Sequence, residues 1–415
     1  MPTDPRRAPA TQHPRHARAL PRLKLTASEP TAVVTARGQA RIERGLPWIY
    51  KSDVAQLSPD LPKGAAVKVV DAKGWFLARA LYSSASQITL RVVSRAERAI
   101  DRDFFLAQLE AALALRERMF PGLHTYRWIH GEADGIPGLV VDRYGDHVVV
   151  QLLTEAAEAR RDLFTELIQS LISPACIVER SDVKVRAHEG LALRKGVLAG
   201  TPREGLCYRE GEVELGLDLL EGQKTGTFLD QRENHLMAGP YARGKCLDCF
   251  SYLGGFALQM ARAGGEVTAV EVSEAACAQL RANAARNGLT VNVVAANAFD
   301  LLRDQLDAGC RYDTIVLDPP AFAKSKDAIA GALRGYKEIN LRAMQLLEPG
   351  GVLITASCSY HVDEAAFEGL LADAAADAKK NVQILERRGA GRDHPVLLSL
   401  RETRYLKCHV LRVLP

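Results

Sequence analysis

The sequence predicts an α/β protein whose C-terminal half is a doubly wound, Rossmann-like parallel sheet. Three observations carry that expectation. Lys245–Phe256, read as KCLDCFSYLGGF, is a short apolar strand, a glycine turn and the start of a helix over Phe256–Ala263. Glu266–Glu271 follows as a second strand ending in an acid, 23 residues after Asp248, the spacing at which nucleoside-binding sheets grip a ribose hydroxyl pair. Val291–Ala296 and Thr314–Leu317 are further strands, separated by helical runs over Glu274–Asn287 and Phe299–Leu306.

In such a sheet the strand-to-helix turns line one edge, outside the carboxyl ends of the strands. Asp248, Glu271, Asn297 and Asp318 fall on those turns. Gly254-Gly255 lets backbone approach a ligand closely, and the helix after it offers unpaired N–H groups. A glycine pair alone is weak, because many such turns are purely structural. Four polar groups along one edge favour a ligand site.

After Asp318 comes Pro319-Pro320-Ala321-Phe322 and then the basic loop Lys324-Ser325-Lys326. The prolines deny the chain a helix there and turn Asp318 and nearby carbonyls toward the site. Carboxylate and carbonyls accept from an exocyclic amino group, and the aromatic stacks on a planar ring. A helix over Arg334–Leu347 and the turn Glu348-Pro349-Gly350-Gly351 lead to a strand over Val352–Ala356. That strand ends at Ser357-Cys358-Ser359-Tyr360-His361, which puts Cys358 on the same edge, beside the strand carrying Asp318. Carbon-5 of cytosine is not nucleophilic until a thiolate adds to carbon-6, so a cysteine there suits covalent catalysis. The bland alternative is a small residue packed at a strand end.

At 415 residues the chain accommodates two or three domains. Hydrophobic content of 47% with 25% charged residues describes an ordinary soluble protein, and a net charge of +4 permits an anionic partner without demanding one. No apolar run reaches membrane-span length, and no signal-peptide pattern opens the sequence. Eight scattered cysteines suit a reducing, cytoplasmic setting better than a disulfide framework. Cys246 and Cys249 form a CxxC, but no second CxxC or histidine pair stands at metal-site spacing, so no metal is expected.

Residues 1–24 carry six basic side chains against the single acid Asp4, with five prolines that prevent a continuous helix. A disordered tail is expected, an RNA-binding arm being the alternative. Residues 25–98 read as a small β domain, with strands at Val67–Val70, Gly74–Leu81 and Ile88–Val93. Its turn Gly45-Leu46-Pro47-Trp48 lies beside Arg41, Arg44 and Lys51, as a nucleic-acid module or an ordinary barrel with a core tryptophan would have it. Residues 99–205 read as a linker helix over Asp101–Phe120 and an α+β unit, with a helix over Glu155–Leu171. His130, Glu132 and Asp134 have metal-like spacing but are read as solvated hairpin residues. Residues 206–415 form the sheet domain, entered by a strand over Val213–Leu220 and the polar stretch Gly222–Asn234. That stretch either folds over the ligand or starts a helix capped by Asp230.

Asp248–Gly255 (DCFSYLGG), Asp318–Phe322 (DPPAF), Ser357–Ser359 (SCS) and Lys224–Arg232 (KTGTFLDQR) together resemble the bacterial large-subunit ribosomal RNA methyltransferase I family. The resemblance covers about residues 20–415, including Asp393-His394-Pro395-Val396 and Tyr405-Leu406-Lys407. It implies an N-terminal β-barrel PUA domain, a middle α+β domain and a C-terminal class I methyltransferase sheet. It further implies S-adenosylmethionine as cofactor and 5-methylcytosine in 23S rRNA, or in a large-subunit precursor, as product. By position, Asp248, Phe250, Ser251, Tyr252 and Gly254 would hold the methionine and ribose side, with Arg232 nearby. Glu271 and Val272 would bind the ribose, and Asn297 and Ala298 the adenine, Asn297 standing where relatives often have aspartate. Asp318, also beside the cofactor, would bind the N3/N4 edge of the cytosine, Pro319, Pro320, Phe322 and Lys324 would contact the substrate, and Cys358 would be the nucleophile. Two other classes stay open, namely an RNA N-methyltransferase that does not need Cys358 and an RNA-binding protein without turnover. Monomer and homodimer are equally compatible with the sequence.

Overall fold

A computed structural model describes residues 23–27, 29–222, 225–322 and 329–415. Nearly all of the expected tail, together with Lys224 and the loop carrying Lys324 and Lys326, lies outside the described residues.

The N-terminal unit runs β1 (Thr31–Val34), α1 (Ala36–Glu43), β2 (Trp48–Tyr50), β3 (Val54–Leu57), β4 (Ala66–Val70), β5 (Phe76–Tyr82) and β6 (Ile88–Ser94). Its six strands pair in the order β2-β6-β5-β4-β1-β3. Thr35 caps α1 by accepting from the Gly38 N–H, and Ile42 on that helix enters one core with Ile49, Val67 and Leu90.

The middle unit begins with α2 (Arg102–Met119), capped by Asp101. It continues through β7 (Thr125–His130), β8 (Leu139–Tyr144), β9 (His147–Leu152), α3 (Glu155–Glu158), α4 (Arg161–Ile172), β10 (Cys176–Ser181) and β11 (Arg194–Gly200). These strands pair in the order β11-β10-β9-β8-β7, with α2 and α4 closing the core through Phe105, Leu109, Phe164 and Leu167. The single helix expected over Glu155–Leu171 is two. Arg160 leaves helical geometry at φ −114°, ψ 20°, and its guanidinium donates to the Gly64 carbonyl of the N-terminal unit at 2.7 Å.

A hairpin of β12 (Cys207–Glu210) and β13 (Val213–Gly216) precedes the main sheet. The strand expected to reach Leu220 stops early because the Asp218 carboxylate accepts from the N–H groups of Leu220 and Glu221, closing a turn. Next come α5 (Arg232–Ala238), β14 (Lys245–Cys249), α6 (Gly255–Arg262), β15 (Glu266–Glu271), α7 (Glu274–Arg286), β16 (Val291–Ala295), α8 (Ala298–Asp307), β17 (Tyr312–Leu317), α9 (Ile329–Leu346), β18 (Leu347–Ser357), α10 (Glu364–Asp377), β19 (Val382–Arg388) and β20 (Lys407–Val413). The strand order is β16-β15-β14-β17-β18-β20-β19. Strands β14 to β18 are parallel, while β20 runs antiparallel between β18 and β19. The order reverses at β14, which has β15 on one side and β17 on the other, and this is where such a sheet opens a crevice. Ile315, Val316 and Leu317 are fully buried, as a parallel strand covered by helices on both faces requires.

The three units are joined by buried charge. Trp48 Nε1 donates to Glu132 at 2.9 Å, and Arg91 pairs with Glu189 at 2.7 Å. Arg116, fully buried, holds Asp134 through two hydrogen bonds at 2.6 and 2.7 Å and donates to the Asp393 carbonyl at 2.9 Å. The His130 ring lies 5.1 Å from that of His394 and 6.4 Å from that of Tyr405. The reading of His130, Glu132 and Asp134 as solvated hairpin residues is therefore corrected, since they are joints between units.

Candidate active site

The crevice is a cavity of about 750 Å³. That is within the range that encloses a nucleoside-sized ligand. The β14–α6 turn forms one wall, and its backbone is unusual. Phe250 and Tyr252 adopt left-handed conformations at φ 67° and 46°, uncommon for residues with a side chain, and Gly254 follows at 92°. A Cβ on Gly254 would lie 2.9 Å from the Leu280 side chain, so glycine is required there on two counts. Hydrogen bonds hold the turn. Phe250 and Ser251 donate their N–H groups to the Val270 carbonyl at 2.9 and 3.0 Å, and the Ser251 hydroxyl donates to the Asp248 carbonyl at 2.8 Å.

At the end of β15 the Glu271 carboxylate accepts from Tyr252 N–H at 3.0 Å and from Ser273 N–H at 2.9 Å. Both oxygens are thus oriented at the cavity wall, an arrangement that suits a diol donating to them. Asn297 caps α8, its Oδ1 accepting from Phe299 N–H at 2.9 Å. Phe250, Phe299, Phe322 and Tyr336 form a run of aromatic rings, with centroids 4.6 to 6.4 Å apart between neighbours.

Asp318 stands at the end of β17, its Oδ1 accepting from Gln231 Nε2 at 2.8 Å. Cys358, half-buried at the end of β18, has its Sγ 3.9 Å from the Pro319 carbonyl oxygen. Behind the cysteine loop, Lys407 is buried and donates to the Ser359 and Tyr405 carbonyls, both at 2.8 Å. Burial lowers its ammonium to about 8. On the cavity lining, His235 has its Nδ1 2.7 Å from the fully buried Glu210 carboxylate. Burial opposes protonation of that imidazole, but the charge and hydrogen bond of Glu210, with the charges of Asp318 and Asp248, together outweigh it and raise its pKa.

Of the residues singled out in the sequence, Phe250, Ser251, Tyr252, Glu271, Val272, Asn297, Ala298, Asp318, Pro319, Pro320, Phe322 and Cys358 line this cavity. Asp248 and Gly254 do not line it. Asp248 is 1% exposed and braces the turn from below, its Oδ2 accepting from Ala257 N–H at 3.1 Å. Arg232 is corrected as a cofactor ligand. It is buried away from the cavity, donating to the Thr125 carbonyl, 3.8 Å from Asp393 and stacked 4.5 Å over the Phe120 ring. Asp230 does not cap α5. It accepts from the Tyr405 hydroxyl at 2.5 Å, and Gln231 occupies the cap position without a side-chain capping bond to the helix backbone. His235 and Thr227 also line the cavity. The polar stretch before α5 pointed to this region but not to these side chains. The Glu210–His235 pair spans 25 positions and left no local signal.

The parallel strands β14 to β18, with this cavity at their switch point, belong to a stretch that the S-adenosylmethionine-dependent methyltransferase family matches. Residues 130–398 match the S-adenosylmethionine-dependent methyltransferase family, and residues 33–95 match the PUA-like domain family. A solved protein from Streptococcus mutans shares the fold at a TM-score of 0.77 and 21% identity, covering 92% of this chain and all of that one. Another solved chain, complexed with SAH, gives a TM-score of 0.79 at 20% identity over the same coverage. Among curated relatives, ribosomal RNA large subunit methyltransferase I of Photobacterium profundum is 41% identical over 394 residues, 92% of this chain and 99% of the relative. The protein of that name in Shewanella denitrificans is 43% identical over 383 residues, 90% of this chain and 96% of the relative. The chain belongs to the ribosomal RNA large subunit methyltransferase I family.

Proposed function

We propose that this protein transfers a methyl group from S-adenosylmethionine to carbon-5 of a cytosine in 23S rRNA, through a covalent bond between Cys358 and carbon-6. The observation that carries the reading is the joint position of Cys358 and Asp318 on one cavity wall, at the ends of adjacent parallel strands. When bound, the cofactor supplies an electrophilic methyl group on its sulfonium.

The chain's own residues do the rest. The target base leaves its stack and enters beside Pro319 and Pro320, where Phe322 offers an aromatic face. The Cys358 thiolate forms a bond to carbon-6 as the carbon-5/carbon-6 double bond opens, and the electron pair moves toward carbon-5 and N3. Asp318, protonated, neutralises the charge developing at N3. Once carbon-5 carries the methyl group, its proton passes to water, the carbon-5/carbon-6 double bond re-forms, the carbon-6–sulfur bond breaks to release the thiolate, and the proton shared with N3 returns to Asp318. Lys407, bonded to the carbonyl next in the chain, holds the cysteine loop in place through both steps. The PUA-like and middle units would grip rRNA through phosphates and shape.

The test is transfer of labelled methyl from S-adenosylmethionine to 23S rRNA lacking the modification, comparing wild type with Cys358→Ala and identifying the product nucleoside by mass spectrometry. 5-Methylcytosine from wild type alone is expected. An equally active variant, or a methylated amine, would refute the mechanism and promote N-methyl transfer, which the Asp-Pro-Pro-aromatic wall also suits.

A further inference from the structure

We infer that Gln231 is a positioning residue for Asp318, and that its amide is oriented by Arg388 acting through Asn234. The inference rests on the reading of Asp318 as the group that faces the target base. Four side chains form one chain of hydrogen bonds. Arg388 Nε donates to Asn234 Oδ1 at 2.8 Å, Asn234 Nδ2 donates to Gln231 Oε1 at 2.7 Å, and Gln231 Nε2 donates to Asp318 Oδ1 at 2.8 Å. Gln231 and Asn234 are 2% and 1% exposed, so bulk water does not compete for these bonds.

A carboxamide has nearly the same shape when flipped, so geometry alone does not say which end faces which neighbour. Chemistry does. A guanidinium carries only N–H donors, so the Asn234 atom facing Arg388 is its carbonyl oxygen. Its NH₂ group then faces Gln231, whose own oxygen must receive it. That leaves the Gln231 NH₂ group facing Asp318. A second contact reads the same way, because Asn234 Nδ2 also donates to the Gly389 carbonyl, an obligate acceptor, at 3.0 Å. Arg388 is itself held by Glu386 at 2.8 Å and by the Glu233 carbonyl at 3.3 Å. Polarity set at the end of β19 is thereby transmitted across the domain to the carboxyl at the end of β17.

The consequence lies in where a proton sits. With an N–H donor aimed at Oδ1, that oxygen is kept as the acceptor and a proton on Asp318 is directed to Oδ2. A flipped Gln231 would aim its carbonyl at Oδ1 and draw the proton there, away from the base. Among the described residues, titratable groups that feel the Asp318 charge include Asp248 on β14, His235 on α5 and Cys408 on β20. All three are retained in every variant below.

The experiment measures rRNA methyl transfer against pH for the full chain and four variants, with melting curves and S-adenosylmethionine affinity as controls. Gln231→Leu is expected to lower kcat by about tenfold or more while leaving cofactor affinity within a few-fold. Asn234→Asp still accepts from Arg388 but no longer donates to Gln231, so it is expected to lower kcat alike. Arg388→Lys keeps an obligate donor and is expected to preserve kcat. Gln231→Glu replaces the donor with a second carboxyl against Asp318, so kcat is expected to fall and the pH limit of the remaining activity to move up by about one unit. Unchanged kcat in both Gln231→Leu and Asn234→Asp, or a pH limit that does not move in Gln231→Glu, would overturn the inference. If Gln231→Leu does not fold, the comparison of Asn234→Asp with Arg388→Lys decides. The relay is judged on whatever methylated nucleoside wild type makes, so a product other than 5-methylcytosine sinks the preceding reading and leaves this one to its own result.

Discussion

Asp248 is where this fold gives up stability for its site, and the amount can be worked out. The carboxyl is 1% exposed and is pushed up from 3.8 to about 7, first by burial and then by the charge of Asp318, against the opposing effects of Ser251 and His235. Above pH 4 the unfolded chain loses this proton while the folded chain keeps it. The unfolded state then binds fewer protons, so stability falls as pH rises and levels off above pH 7. At about 1.4 kcal/mol per pH unit, the full cost is about 4 kcal/mol, with about 1.5 kcal/mol already incurred at pH 5. Asp248→Asn keeps the shape and never ionises. The variant is therefore expected to gain on wild type by about 2–3 kcal/mol between about pH 5 and pH 8.5. Urea unfolding of both proteins at the two pH values measures this directly. A wild-type-to-variant difference that stays constant across the two would refute the assignment of a buried, late-titrating carboxyl. The same variant is expected to lose methyl-transfer activity, because the turn that Asp248 braces forms the cavity wall.

Two further outcomes follow from the packing. Gly255→Ala would bring a Cβ within 2.3–2.6 Å of three His235 ring atoms, displacing the imidazole from Glu210. It is expected to cost about 1–3 kcal/mol in denaturant unfolding and to weaken S-adenosylmethionine binding by calorimetry. Arg116→Met leaves Asp134 and the Asp393 carbonyl without their buried donor, and a loss of about 3–5 kcal/mol is expected, with earlier proteolytic cleavage between the middle and C-terminal units.

The sequence by itself determined the sheet and the edge at which the cavity opens. Parallel strands buried on both faces are near-continuous apolar runs, and Glu266–Glu271 coincides with β15 at both ends. Because strand-to-helix turns of such a sheet face one side, Glu271, Asn297, Asp318 and Cys358 could be assigned to one cavity without coordinates, but the same reasoning also put Asp248 there, and Asp248 is buried beneath the turn instead. Tertiary structure alone decided which charges are interior. A charged residue reads as solvated unless its partner is visible, and here the partners are far away in sequence. Arg232 meets Thr125 and Asp393, Arg116 meets Asp134 and Asp393, and Glu132 receives Trp48. The Arg388–Asn234–Gln231–Asp318 chain spans more than 150 positions and leaves no periodicity or spacing to read. Local pattern encodes which way a strand faces, since that depends on alternation and burial. It does not encode which buried polar groups find one another, since that depends on how separate units come together.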